Sequence, residues 1–325
     1  ATKNPLRILL NAARLADIAR AERVDLIHAR SRAPAWSALL ASRRLRLAFI
    51  TTYHGAYNER GPVKRLYNSV MARSDRIIAN SNYTAELIRQ RYGSSPEIIR
   101  VIHRGIDKSF SREAVSAERI AAVKARWKID PRKKIILQAA RLTRWKGQSI
   151  LIEAVDQLQQ RGLFEGTTVV LAGDEQGRNS YRTELRRMIA SRKLSPHVLL
   201  VGHEHDMAAA FAAAHVAVIA SVEPEAFGRT AAEAQGVGCP VIATRIGAPQ
   251  ETILAEPEHA KSDRTGWLVP PANANALAEC LASALALRPQ QREAMGERAA
   301  RHVHSQFTLN EMKIRTLNVY DEMLK

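Results

Sequence analysis

Short apolar runs alternate with amphipathic helical stretches along almost the whole chain, and this alternation restricts the fold more than any other feature. In the first half, strand-like runs occupy residues 24–28, 47–53, 76–79 and 98–102. Helical patterns fall between and around them at 12–21, 34–43, 63–73 and 83–92, the last with Ser81 or Asn82 as its N-cap. In the second half the strands are 134–138, 168–172, 198–201, 216–220 and 241–244. Ile150, Leu151, Ala154, Val155 and Leu158 recur at helical spacing just behind Gly147. Residues 207–222 read as an Ala-rich helix running into a strand, too short to cross a bilayer. After Pro270-Pro271, helical patterns cover roughly 276–286 and 291–305, and a last one covers 309–324. Strands separated by helices pair in parallel, so the chain is expected to be α/β, with parallel sheets flanked by helices. A length of 325 residues suits two such domains. Residues 105–131 are polar, charged and poor in strand signals, and read as the connection between the domains.

Charge is distributed unevenly. Residues 1–130 hold 25 Lys and Arg against 11 Asp and Glu, whereas residues 131–325 hold 24 against 21, within a net charge of +17. A basic first half favours an anionic partner: membrane headgroups, an acidic lipid-linked substrate, or nucleic acid. A coding bias toward Arg with no partner explains it equally well. Against nucleic acid, no recognised binding motif is present, and the few aromatics are not interleaved with the basic residues. Arg43, Arg44, Arg46, Tyr57, Arg60, Lys64, Arg65 and Tyr67 could meet headgroups or form a solvated basic face. Cys239 and Cys280 are the only cysteines; they suit buried, reduced thiols in a cytosolic protein. No Cys/His cluster has zinc spacing, and His203-Glu-His205 reads as a solvated loop rather than a metal pair.

The unusual residues cluster just beyond the carboxyl ends of strands. His54-Gly55 follows the run 47–53, and Arg141 follows 134–138 with Lys146-Gly147 opening the next helix. Gly173-Asp174 follows 168–172, and Glu225 follows 216–220. Open α/β sheets bind ligands at that edge. Arg141 and Lys146 are suited to a diphosphate, since Arg offers a planar fork and Lys a point charge. Taken alone, two basic residues at a helix start read more simply as a solvated surface. Phe227-Gly228-Arg229 opens another helix and can present further N–H donors. Glu225 and Glu233 place one carboxylate in a loop and another on the following helix, where they could hold a polyhydroxylated ligand or merely favour the helix dipole. Neither a Walker pattern nor Gly-x-Gly-x-x-Gly after a strand is present, which counts against P-loop and nicotinamide enzymes.

Several segments together resemble the family-4 glycosyltransferases of GT-B fold. They are Asp25-Leu-Ile-His28, Thr52-Tyr-His-Gly55, Ser74-Asp-Arg-Ile-Ile-Ala-Asn-Ser81 and Val101-Ile-His-Arg-Gly-Ile-Asp107 in the first half. In the second half they are Ala139-Ala-Arg-Leu-Thr-Arg-Trp-Lys-Gly147, Val169-Val-Leu-Ala-Gly-Asp174, Glu225-Ala-Phe-Gly228 through Glu233-Ala-Gln-Gly236, Cys239-Pro-Val-Ile-Ala-Thr244 and Gly266-Trp-Leu-Val-Pro270. The resemblance implies two Rossmann-like domains facing across a cleft. Residues 1–112 with 308–325 would bind the acceptor, the last helix crossing back, and residues 113–307 would bind the nucleotide-sugar donor. It further implies that Arg141 and Lys146 grip the donor diphosphate, Glu233 the ribose hydroxyls and Glu225 the transferred sugar. His54 would approach that sugar from the acceptor domain. Gly173, Phe227, Gly228 and Arg229 would line the donor site, with base contacts near 201–206.

The implied activity is retaining transfer of a hexose-type sugar, by front-face displacement, from a donor such as a UDP- or GDP-sugar to a glycan or lipid-linked acceptor of cell-envelope or lipopolysaccharide type. No bound metal or other cofactor is expected, and nucleic acid is not expected as a partner. The expected location is cytoplasmic, with peripheral association at the inner face of the membrane. The alternatives are a non-catalytic sugar-nucleotide binder and a GT-B-fold epimerase. One departure stands out: the first strand and Gly-rich loop of the family have no match, and the chain opens at Ala1 without Met, as though that segment had been removed or left out. His103-Arg104-Gly105 replaces the usual Pro-Asn-Gly, and Gly247-Ala248 a common Gly-Gly.

Overall fold

The structure is a computed structural model describing residues 4–55, 57, 61–177 and 179–325. Arg60 lies outside the described residues. The chain divides into two compact units, Ala1–Gly105 with Leu309–Lys325, and Ile106–Thr308. The division falls at Gly105, not at the expected 112, because Ile106 and Phe110 pack with Phe227, Val303 and Phe307 inside the second unit. Ile106 N–H also bonds the Phe307 carbonyl at 2.8 Å.

Unit 1 is built on four parallel strands in sequential order: β1 (Leu26–Ala29), β2 (Ala48–Tyr53), β3 (Arg76–Ala79) and β4 (Ile99–Val101). Its helices are α1 (Pro5–Ala21), α2 (Arg32–Leu45), α3 (Pro62–Asn68) and α4 (Asn82–Tyr92), joined by the C-terminal helix Leu309–Leu324. Side chains alternate across a strand, and this splits the apolar residues between two faces. Phe49, Tyr53, Ile77 and Ala79 pack toward α2 and α4 on one face. Ile50, Ile78 and Ile102 pack against Val319 of the C-terminal helix on the other. Ser81 caps α4, its Oγ accepting from Thr84 N–H at 3.0 Å. Helix α1 begins seven residues before the expected start, because Asn4 caps it and Pro5 fits the first turn. The expected helix 63–73 breaks after Asn68 into a 3₁₀ turn, Ser69–Ala72.

Unit 2 carries six parallel strands. They are β5 (Lys134–Ala139), β6 (Thr167–Ala172), β7 (Val198–Gly202), β8 (Val216–Ile219), β9 (Val241–Thr244) and β10 (Gly266–Val269), in the order β10-β9-β8-β5-β6-β7. Its helices are α5 (Ala117–Arg126), α6 (Gln148–Gln160), α7 (Asn179–Ser191), α8 (Met207–Ala213), α9 (Arg229–Gly236), α10 (Pro249–Thr252), α11 (Ala274–Leu285) and α12 (Pro289–Gln306). One apolar cluster joins the sheet to α6, α7 and α11; a second joins its other face to α5, α8 and α9. The segment expected to be a bare connection therefore contains α5, capped by Ser116, with Val123, Trp127 and Ile129 in the core. Sequence order runs outward in both directions from the β5–β8 pair. That pair is the topological switch point of the sheet, where a crevice opens at the carboxyl ends of the strands.

Candidate functional site

The segments beyond β5 and β8 are knitted together at this switch point. After β5 the chain makes a 3₁₀ turn, Arg144–Lys146, which ends at Gly147 with φ 68°. A Cβ at Gly147 would lie 1.9 Å from the Ala220 carbonyl oxygen, so only glycine permits this approach to the end of β8. Val222 N–H donates to the Trp145 carbonyl at 2.8 Å, fixing the other side of the turn. The backbone thereby delivers Lys146 to Glu225, Nζ to Oε1 at 2.7 Å, with only 14% and 10% of the two side chains exposed. Ser221 Oγ donates to the same Oε1.

Glu225 is also fixed through its own backbone. Its carbonyl accepts from Ala248 N–H at 2.9 Å, and a Cβ on Gly247 would lie 2.5 Å from that carbonyl oxygen. Gly173, after β6, closes on the same loop: a Cβ there would fall 2.0 Å from the Ala140 carbonyl oxygen. Two buried glutamines hold the loop from below. Gln138 Nε2 donates to the Lys146 carbonyl at 2.6 Å, and Gln148 Nε2 to the Arg141 carbonyl at 2.9 Å. Arg141 itself is exposed, with Nη1 3.3 Å from Gln176 Oε1.

Glu233 lies one turn into α9, where Arg229 Nη2 reaches its Oε1 at 2.7 Å. Burial raises the Glu233 carboxyl above its ordinary range, and Arg229 pulls against that rise. Gly228 starts α9 in the left-handed region at φ 77°. Phe227 is 3% exposed, in the apolar cluster with Phe307 and Val303, so its side chain is a core anchor that sets where α9 begins.

Glu233 and Arg229 line a cavity of about 600 Å³ together with Ser109, Phe110, Arg119 and residues 203–208. His203 and His205 are exposed, as expected of a solvated loop, but Glu204 between them is buried. Glu204 has 4% of its side chain exposed; it accepts from Arg126 Nη2 at 2.7 Å, Trp127 Nε1 at 3.1 Å and Asp206 N–H at 2.8 Å. Burial pushes the Glu204 carboxyl up, but these hydrogen bonds and the Arg126 charge outweigh it, and the net shift is downward. Asp206 caps α8 and is gripped by both Arg119 Nε and Nη2. Nothing in the residue types alone singled out Glu204, Gln138 or Gln148. Among the described residues, no group of three or more His, Cys, Asp and Glu could hold a metal ion.

His54 belongs to a separate cavity of about 530 Å³ within unit 1. At or just beyond the carboxyl end of each of the four strands, two residues spaced by two line this cavity: His28 and Arg30, Thr52 and His54, Ile78 and Asn80, Ile102 and Arg104. Met312, Lys313, Leu317 and Tyr320 of the C-terminal helix close the cavity. Tyr320 Oη, His28 and Thr52 Oγ1 form a chain with two contacts of 2.7 Å. Burial, then Arg104, Arg30 and His28, lowers the His54 pKa to about 4. Burial and Arg30 hold His28 at about 4 as well. Both imidazoles are therefore neutral at pH 7.

Two parallel-sheet α/β units of this construction define the GT-B class. Residues 120–302 match the profile of Glycosyl transferases group 1, and residues 1–110 match that of Glycosyltransferase Family 4. The chain belongs to the group 1 glycosyl transferases. It is 33% identical to the crystal structure of a glycosyltransferase from Rickettsia africae ESF-5, with a TM-score of 0.89 over 100% of this chain and 83% of that one. It is 23% identical to Anabaena HepE in complex with UDP-glucose, with a TM-score of 0.81 over 95% of this chain and 82% of that one, a likeness of fold. The D-inositol 3-phosphate glycosyltransferase of Streptomyces bingchenggensis is 30% identical over 79% of this chain and 54% of its own length. The chain thus spans little more than half of that relative. No described helix is long and apolar enough to cross a membrane.

Proposed function

We infer that the chain transfers a hexose-type sugar from a nucleotide-sugar donor to a hydroxylated acceptor, with retention at the anomeric carbon. The single observation carrying this reading is the buried Lys146–Glu225 pair at the switch point of the unit-2 sheet. There Lys146, with Arg141 and the N–H groups at the start of α9, supplies positive charge for a departing diphosphate. Glu225 Oε1 is taken up by Lys146 and Ser221, and Oε2 is proposed to accept from hydroxyls of the transferred sugar. Glu233, at the wall of the 600 Å³ cavity, is proposed to accept from the ribose, and the loop 203–206 to read the base by its backbone. In unit 1, neutral His54 is proposed to hydrogen bond substrate hydroxyls. On this reading the C1–O bond to the diphosphate breaks as the acceptor oxygen bonds C1 on the same face, and the departing phosphate oxygen takes the acceptor proton. The charge needed is supplied by side chains and helix N–H groups, without a resident metal.

Support for a nucleotide sugar also comes from the fold likeness to HepE, which binds UDP-glucose. The relatives named for D-inositol 3-phosphate, and the basic first half of this chain, support an anionic or lipid-linked acceptor. The test is a thermal-shift screen against UDP-, GDP- and ADP-sugars. A ligand present at about 100 times its Kd stabilises the native state by about 2.7 kcal/mol. One nucleotide series should raise the melting temperature; no response to any nucleotide sugar would contradict the reading.

A further inference from the structure

The ammonium of Lys146 has a second neighbour besides Glu225. Trp145, the residue before it, presents the face of its indole to Lys146 Nζ, with 4.2 Å between Nζ and the ring centroid. Side chains of adjacent residues do not normally face each other on a helical turn. Here they do, and the backbone around them is pinned at three points. The Trp145 carbonyl accepts from Val222 N–H at 2.8 Å, Lys146 N–H donates to the Thr143 carbonyl at 2.9 Å, and the Lys146 carbonyl accepts from Gln138 Nε2 at 2.6 Å. What these bonds leave unfixed is the ammonium itself, a point charge on a flexible four-carbon stem.

An ammonium has three donors. Among the described residues, Glu225 Oε1 is the one acceptor that Lys146 Nζ bonds. The indole face attracts the cation through its quadrupole and takes the place of water on its own side; of the aromatic rings, Trp does this best. Only 14% of the Lys146 side chain is exposed, so solvent reaches the ammonium over a small arc. A carboxylate on one side and a ring on another therefore limit where the remaining N–H can point. Attraction between that N–H and an incoming anionic oxygen is stronger for the loss of water around it. Trp145 is half-buried, so the ring also fills space beside the switch point. The two roles differ in what they require: one needs an aromatic face, the other only apolar bulk.

We propose that Trp145 is a positioning residue for the donor diphosphate. Its ring holds the Lys146 ammonium against Glu225 in the orientation that leaves one N–H free for a diphosphate oxygen, and it acts on the ligand through Lys146. The proposal rests on the nucleotide-sugar reading above and adds to it a residue outside the set that the family resemblance assigns.

The test is calorimetric titration of wild type, W145F and W145M with UDP, GDP and ADP, after the melting temperatures of the three chains have been compared. W145F keeps a ring face; W145M keeps apolar bulk without one. For the diphosphate that binds wild type, Kd should rise about tenfold or more in W145M, the loss of a desolvated cation–π contact, and no more than about threefold in W145F. Should W145M fail to fold, W145L, which also lacks a ring, takes its place with the same expected loss. Equal losses in the ring-bearing and ringless variants would mean that bulk alone matters, and undiminished binding in both would mean that the ring is idle. Either result refutes the positioning role and leaves the nucleotide reading standing. If none of the three diphosphates binds wild type, the nucleotide reading falls and this proposal falls with it.

Discussion

Lys146 Nζ lies 2.7 Å from Glu225 Oε1, and the two side chains are 14% and 10% exposed. A pair this buried is costly to break from one side, because the partner is left charged and desolvated. Lys146→Ala should therefore destabilise unit 2 by about 3 kcal/mol, read by chemical denaturation. Glu225→Gln keeps the volume and should cost less stability but more activity. Losing one preorganised electrostatic contact in the site should lower kcat by about 10²–10³-fold in a steady-state assay with the donor identified by screening.

Gly147 offers a sharper structural test. Its φ of 68° and its approach to Ala220 leave no room for a Cβ. Gly147→Ala should lower stability by about 3 kcal/mol and abolish nucleotide-sugar binding, since the turn that delivers Lys146 cannot close. Gly162 is the control. It has φ 70° but nothing within 4 Å of a built Cβ, so Gly162→Ala should cost only about 1 kcal/mol and leave binding intact. Equal losses in the two variants would mean that strain alone, not the contact with β8, matters at Gly147.

The pH dependence follows from the histidines. His28, His54 and His215 have folded pKa values lowered from 6.5 to about 4, each chiefly by burial. The unfolded chain therefore binds protons that the native state refuses. Stability contributed by the neutral rings is present above pH 6.5 and is lost as the pH falls toward 4. Thermal melts across that window should show a falling melting temperature, and His54→Gln should make the fall shallower. If His54 serves the reaction as a neutral group, the acid limb of kcat/KM assigned to it should lie near pH 4, not near 6.5.

Glu204 acts in the opposite chemical sense but at a similar edge of pH. Its carboxyl lies below the ordinary range, so its contribution is present above that range and lost on acidification through it. Glu204→Ala leaves Trp127 Nε1 and Asp206 N–H without their acceptor. Each buried donor left unpaired costs about 1–3 kcal/mol. The loop 203–206 should loosen, and the Kd for the nucleotide should rise.

Much of this fold was legible because parallel strands are nearly continuous apolar runs. The strand at 76–79 and the helix at 309–324 coincide with the observed elements. Elements were overlooked where pattern and burial part company. Strand β10 is four residues containing Gly266, whose missing Cβ is needed against the Val241 carbonyl, and it carries no alternation to detect. Helix α7 is polar along most of its length and buries only Tyr181, Leu185 and Ile189. Helix α5 hides in a charged stretch: it buries only Val123, while its Arg126 and Arg119 bond Glu204 and Asp206.

The candidate site was legible as residue types beyond strand ends, not as contacts. Spacing could place Lys146 and Glu225 after two different strands. Only the sheet order makes β5 and β8 neighbours, and only Gly147 lets the two loops touch. The unit-1 cavity escaped for a similar reason. The family resemblance implied that the last helix crosses back to unit 1, but His28 and Tyr320 are 292 residues apart and no local pattern foretells their contact.

The most direct measurement is calorimetric titration of the nucleotide sugar selected by screening into wild type, Lys146→Ala and Glu233→Ala, with folding of each variant checked by its melting curve. Tight binding to wild type, reduced by about 10²-fold or more in both folded variants, is the predicted result. Undiminished binding in both would place the nucleotide away from the ends of β5 and β8 and contradict the account.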